Sequence, residues 1–220
     1  MTLVEAIHTV GSSLACPLSP AQERILAQYV DLVFKWNRIA NLTGVSAPGE
    51  FVSKHLTDCL SIAPYVGGNT LVDVGSGAGL PGLVLACIRP ELFVYLIEPR
   101  AKRARFLEHA RIALALPNVE VVTSRIEDWQ PPRRIDTVVC RAFGTVQEFV
   151  RVTATLHTPG CRLLVMKGQN PVDELAGIEP HRFDCDVHAL TVPGWRARHL
   201  VVLECAVPPI PPIPPIPTGH

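Results

Sequence analysis

From residue 71 onward the chain repeats one pattern, a short continuous apolar run followed by a segment with helical spacing. The strand candidates are Leu71–Val74, Phe93–Ile97, Val119–Thr123, Ile135–Cys140 and Cys161–Lys167. The helical segments are Leu83–Arg89, Ala101–Ala115, 145–156 and 171–178. Apolar runs without polar alternation predict strands covered on both faces. Strand and helix in alternation predict a doubly wound, parallel α/β sheet with right-handed crossovers. Two further runs, 183–192 and 199–206, flank Pro193-Gly194-Trp195 and predict an antiparallel hairpin at the end of the sheet. The expectation is a seven-stranded, mostly parallel sheet.

Residues 1–66 read as an N-terminal helical extension on this core, which spans 67–207. A helix over 20–38 starts with Ser19 as cap and Pro20 in the first turn. Leu26, Tyr29, Val30 and Val33 form its apolar face. Asn41-Leu42-Thr43-Gly44 interrupts the pattern, and a second helix runs from about Pro48 to Ile62 with Ser46 as its expected cap. Residues 208–220, PPIPPIPPIPTGH, fit polyproline II or irregular chain, because proline joins neither helix nor ladder. Such a tail suits an SH3-type partner, although composition favours a plain terminal extension.

Composition limits the function classes. Hydrophobic residues are 48% of the 220, enough for a large core. Lys plus Arg and Asp plus Glu are 20 each, which excludes a generically basic coat for nucleic acid, so any RNA contact must be a local patch. The longest near-apolar stretch, Leu80–Ile88, falls well short of the roughly 20 residues of a membrane-spanning helix. The first residues lack the basic start of a secretory signal. Seven cysteines without a CxxC pair fit the reducing cytoplasm. His181, Cys185 and His188 lack further ligands at metal spacing, so no metal is expected.

The segment Leu71-Val-Asp73-Val-Gly75-Ser-Gly77-Ala-Gly79-Leu80-Pro-Gly82 carries the chemistry. Glycines between a first strand and a helix let the backbone turn tightly and approach a ligand. Residues 77–82 spell GxGxxG, and Glu98 lies 21 residues beyond Gly77, as in sites for NAD. Residues 73–79 spell DxGxGxG, the pattern of S-adenosylmethionine (SAM) enzymes. Charge favours the second reading. Asp73, Glu98 and Glu127-Asp128 follow successive strands and are expected to converge on one crevice. They would repel a pyrophosphate but suit a sulfonium, an ammonium and a ribose diol. Register agrees, since Gly75 directly follows the strand. An NAD-dependent oxidoreductase, or a non-catalytic protein acting through its proline tail, are the alternatives.

The loop after the fourth strand, Cys140-Arg141-Ala142-Phe143-Gly144, offers no carboxylate and no Pro-Pro. Methylation of an exocyclic amine often uses both. Cys140 is read as strand-end packing. A ring nitrogen with a free lone pair, such as guanine N7, needs no general base. Arg141 has several open roles: an acid of the crevice, the SAM carboxylate, guanine or phosphate.

The glycine motif Asp73–Gly82 resembles that of the bacterial ribosomal RNA small subunit methyltransferase G family, also called glucose-inhibited division protein B. Trp36-Asn37 with Asn41-Leu42-Thr43, His55-Leu-Thr-Asp58-Cys-Leu60, Lys102-Arg103-Ala-Arg105-Phe106-Leu107 and Ser124-Arg125-Ile126-Glu127 match in order. So do Arg141-Ala142-Phe143, Lys167-Gly168 and Arg198-His199-Leu200-Val201. Cys59 and Cys140 stand where the family has serine, and the proline tail lies outside the match. The resemblance implies an N-terminal helical part on a Rossmann-like methyltransferase sheet, and methylation of guanine N7 in 16S ribosomal RNA. It places SAM contacts at Gly75, Leu80, Ile126, Glu127 and Arg141. The loop and strand-end reading adds Gly77 and Glu98. RNA contacts are expected at Asn41, His55, Lys167 and Arg198, with Lys102 and Arg105 on one helix face. The expected partner is 16S ribosomal RNA within a small-subunit particle, approached by a monomer.

Overall fold

The computed structural model describes residues 1–14 and 16–206. The proline tail lies outside the described residues. Seven strands form one sheet: β1 (Thr70–Val74), β2 (Phe93–Ile97), β3 (Val119–Val122), β4 (Thr137–Arg141), β5 (Arg162–Lys167), β6 (Phe183–Ala189) and β7 (His199–Cys205). Their order is β3-β2-β1-β4-β5-β7-β6. Strands β1 to β5 run parallel, and β7 is antiparallel to both β5 and β6. The sequence-predicted hairpin is present, with its second strand inserted beside β5 and β6 left at the edge. Its connection is a loop over residues 190–198, closed by the Leu190 N–H donating to the Arg198 carbonyl at 2.8 Å.

Both sheet faces are covered, as the continuous apolar runs require. Leu71, Val94, Leu96, Val139 and Leu164 join one core, which also holds the N-terminal helices. Val72, Val74, Tyr95, Val138 and Leu163 join the other. Helix α1 (Leu3–Ser13) precedes α2 (Pro20–Ala40). Helix α3 (Pro48–Phe51) passes into a π-turn, Val52–Leu56, and then α4 (Thr57–Ser61). Helices α5 (Gly82–Ile88), α6 (Ala101–Ala113), α7 (Val146–Val152) and α8 (Val172–Leu175) follow the strands. All seven residues of α5 are buried, because α2 and α4 cover the side it turns away from the sheet.

The sequence signals for α2 are realised. Ser19 and Gln22 form a reciprocal capping box, with Pro20 in the first turn. The helix ends two residues later than expected, at Asn41 in the left-handed conformation (φ 49°). The second helix departs from expectation. Its N-cap is Ala47 without a side-chain bond, not Ser46, and its middle widens into the π-turn that carries His55. Helix α1 was not read individually, although Thr2 and Glu5 make a capping box there.

The N-terminal helices also reach the glycine turn. The buried Tyr29 hydroxyl donates to the Ala78 carbonyl at 2.7 Å. Tyr29→Phe keeps the ring but leaves a buried carbonyl unpaired, and we expect a loss of about 1–3 kcal/mol. Urea unfolding measures it; a stability equal to that of the native chain would show that this bond does not anchor the turn.

Candidate functional site

The glycine turn leaves the carboxyl end of β1 at the centre of the sheet, where doubly wound folds bind ligands. Gly75 has φ 74°, and a Cβ built on it would meet no atom within 4 Å. Its backbone therefore lies open to a ligand. Gly82 lacks a side chain for the opposite reason, since a Cβ there would fall 2.7 Å from Asp73 Oδ2.

Two expected ligand-facing acids hold the turn instead. Asp73 is fully buried, and its Oδ2 accepts from the Gly82 N–H at 2.9 Å. Its other carboxylate oxygen has no partner. Burial pushes its pKa up to about 7, against the pull of the Gly82 N–H. Glu98 is 2% exposed. It accepts from the Gly77 N–H and from the Arg100 N–H, both at 2.9 Å. Of the acids expected to line a common crevice, Asp73 is therefore sealed beneath the turn and Glu98 is drawn into it. Glu127 remains exposed.

A cleft of about 180 Å³ opens between these strand ends. Gly75, Ile97, Pro99, Ile126, Glu127 and Phe143 line it. Its walls are mostly apolar, with the charged side chains of Arg125, Glu127 and Glu148 among them, a lining suited to a flat ring system with polar ends. Leu80 is buried behind the turn. A larger hollow of about 660 Å³ lies away from this chemistry, at the sheet edge against Ile178 and Phe183.

Arg141, at the end of β4, turns away from the cleft. Its Nε donates to Asp58 Oδ2 at 2.8 Å, and an Nη lies 2.7 Å from His55 Nδ1. An arginine only donates, so His55 Nδ1 is the acceptor and the ring proton sits on Nε2. That nitrogen is 3.2 Å from Thr43 Oγ1. Burial, then the nearby guanidinium groups, push the His55 pKa down to about 4, which keeps the ring neutral. Ala142, next along the chain, has φ 55°, a strained conformation for alanine that turns the backbone into Phe143.

The expected RNA contacts are not all free. The Lys167 ammonium pairs with Glu174 at 2.7 Å and donates to the Gly144 carbonyl at 3.1 Å. The Arg198 guanidinium lies over the Trp195 ring at 3.5 Å. Asn41 is exposed, and its carbonyl accepts from Arg103 at 3.2 Å. Lys102 and Arg105 are exposed on α6. Cys140 is buried, and burial raises its thiol well above the ordinary value, consistent with packing.

The sequence does not reveal the polar partners of Asp58, Tyr29 and Trp195. Asp58 was visible only within the His55-x-x-Asp58 match, and Tyr29 only as part of an apolar face.

The buried Asp73 gives a pH signature. Its native pKa lies above the unfolded value, so the native state binds the extra proton, and stability falls as pH rises from about 4 to about 7. Asp73→Asn keeps an acceptor for Gly82 and removes the charge. Unfolding titrations at pH 5 and pH 8 should show the native chain losing stability relative to the variant. Parallel pH profiles would contradict the buried charge.

Comparison with known proteins agrees with this geometry. Residues 22–201 match the family described as rRNA small subunit methyltransferase G. A protein of that name from Pseudomonas syringae is 41% identical over 201 residues, covering 90% of this chain and 94% of the relative. Another, from Aromatoleum aromaticum, is 44% identical over 199 residues, covering 88% and 94%. Among solved structures, a SAM-dependent O-methyltransferase from Thermotoga maritima superposes with TM-score 0.56 at 17% identity, covering 81% of this chain and 72% of that one. A SAM-dependent methyltransferase from Aquifex aeolicus gives 0.55 at 17% identity, covering 78% and 97%. These two show the fold, and the closer sequence relatives show the kinship. By its match over residues 22–201 and its identity to these relatives, the chain belongs to the ribosomal RNA small subunit methyltransferase G family.

Proposed function

We propose that this chain transfers a methyl group from SAM to N7 of a guanine in 16S ribosomal RNA. The carrying observation is the cleft that opens at Gly75 and runs between Ile126 and Phe143 with Glu127 at its rim. When bound, SAM supplies a methyl group already activated by its sulfonium. The protein's part is to place acceptor and donor in line, a contribution of up to roughly 7–11 kcal/mol for a well-oriented pair.

Each residue then has a task. Gly75 lets the backbone approach, and the flat walls at Ile126 and Phe143 receive a ring. Glu127 offers a carboxylate to hydroxyl or ammonium groups. Gly77 and Leu80 shape the turn, and Glu98 holds it through the Gly77 N–H, which makes it a residue of the cofactor site. Arg141 acts through the loop it begins. The chemistry fits an unprotonated ring nitrogen. The loop after β4 holds no carboxylate, and the Cys140 thiol is kept protonated and buried. With no carboxylate in that loop and no thiolate beside it, guanine N7, which has no proton to lose, is the acceptor that suits the site.

A dinucleotide has less support. The Gly82 N–H, at the start of α5, already carries the Asp73 carboxylate where a pyrophosphate would need a free donor. The antiparallel β7 between β5 and β6 also departs from the all-parallel dinucleotide order.

The substrate we favour is a partly assembled small-subunit particle in the cytoplasm, met by a monomer. Zero net charge gives little electrostatic hold on naked RNA. Asn41 and the exposed Lys102 and Arg105 of α6 are positioning contacts for the RNA. Particles incubated with the protein and labelled SAM should acquire 7-methylguanosine at one position. Methylation elsewhere than N7, or comparable turnover on a short isolated hairpin, would refute this reading in its respective part.

Glu98→Ala removes the acceptor for the Gly77 N–H of the turn and the Arg100 N–H at the start of α6. SAM affinity should weaken by about 1–3 kcal/mol, roughly 5- to 150-fold. Calorimetric titration checks it, and unchanged affinity in a folded variant would remove Glu98 from the cofactor site.

A further inference from the structure

Beside the cleft, a polar cluster joins three distant parts of the chain. Asp58, in α4, is 2% exposed and sits between two guanidinium groups. Its Oδ2 accepts from Arg141 at 2.8 Å. Its Oδ1 lies 3.1 Å from Arg198 Nε, an ion pair whose N–H is off line for a hydrogen bond. The two arginine side chains are only 16% and 14% exposed. Arg198 stacks on Trp195, whose indole N–H donates to the Lys54 carbonyl at 3.1 Å. Gly168 makes room for it, since a Cβ there would fall 3.1 Å from an Arg198 Nη.

We propose that Asp58 is a positioning residue for methyl transfer: its two carboxylate oxygens clamp Arg141 and Arg198, fixing the loop after β4 and the 190–198 loop against the N-terminal helices. The proposal rests on the methyltransferase reading of the cleft and names what holds its walls. Arg141 begins the strained turn at Ala142, and Phe143 beyond it lines the cleft. Arg198 ends the other loop, which has no strand or helix of its own. Neither loop has another buried ionic tie to the N-terminal helices among the described residues. Asp58 touches neither the cleft nor its lining, so it acts through the arginines.

The test uses the full chain and small-subunit particles. Native protein must first methylate them; failure there sinks the methyltransferase reading itself, before any variant is examined. Asp58→Asn is then compared at saturating SAM and particle, well below its own melting temperature. Turnover should fall by about 100-fold, the scale of an ångström-level misplacement, while S-adenosylhomocysteine affinity stays within about threefold. The double variant Asp58→Asn with Arg198→Met should lose little more than the single one, because the two act as a unit. Native-like turnover in folded Asp58→Asn, or fully additive losses, would overturn the proposal. If asparagine at 58 prevents folding, Arg198→Met alone decides: reduced turnover at unchanged S-adenosylhomocysteine affinity supports the clamp, and unchanged turnover overturns it.

Discussion

A turn built from glycines approaches a ligand closely because it has no side chains, and for the same reason it cannot hold its own shape. In this protein three groups from three elements hold it. The Asp73 carboxylate binds the Gly82 N–H from below, Glu98 binds the Gly77 N–H from the next strand, and the Tyr29 hydroxyl binds the Ala78 carbonyl from α2. The opening at Gly75 exists because the residues around it are fixed in this way. The burial of Asp73 carries a cost, visible in a pKa raised to about 7. A carboxylate in water would titrate normally but could not reach beneath the turn.

The same bonds change the place of the N-terminal helices. Composition and order present them as an extension on a complete sheet. In the structure they share a core with α5 and α6, and they supply Tyr29, His55 and Asp58 to the turn and the neighbouring loops. The π-turn at Val52–Leu56 belongs to this arrangement, since it carries His55 and precedes Asp58. The charge that composition reports as zero is distributed accordingly. Half-buried cations, Arg141 and Lys167, pair with Asp58 and Glu174, and exposed cations stand on α6.

Local chemistry was legible in the sequence, and long-range pairing was not. Strands β1, β2, β4 and β5 announced themselves because burial on both faces leaves near-continuous apolar runs, while the edge strand β3 was legible despite its exposed Glu120. The Ser19 cap was legible because a capping box lies within four residues. The glycine motif located the cleft, since only glycine meets the φ at Gly75 without strain. The backbone partners of the acids were not legible for a physical reason: a strand-end carboxylate looks the same in sequence whichever N–H it meets. Asp73 meets the Gly82 N–H, and Glu98 those of Gly77 and Arg100. The partnership of Asp58 with Arg141 and Arg198 crosses the whole fold, and no periodicity or spacing carries it. The pairing of Lys167 with Glu174 was not legible either, because Glu174 sits on α8, a helix too short to give a clear pattern.

As the methyl-donor site, the cleft at Gly75 should accept S-adenosylmethionine and refuse a dinucleotide. Isothermal titration of the full chain with S-adenosylhomocysteine and, separately, with NAD measures this directly. Saturable one-site binding of S-adenosylhomocysteine and no measurable heat with NAD are expected. Tighter binding of NAD, or no binding of S-adenosylhomocysteine to the folded protein, would contradict it.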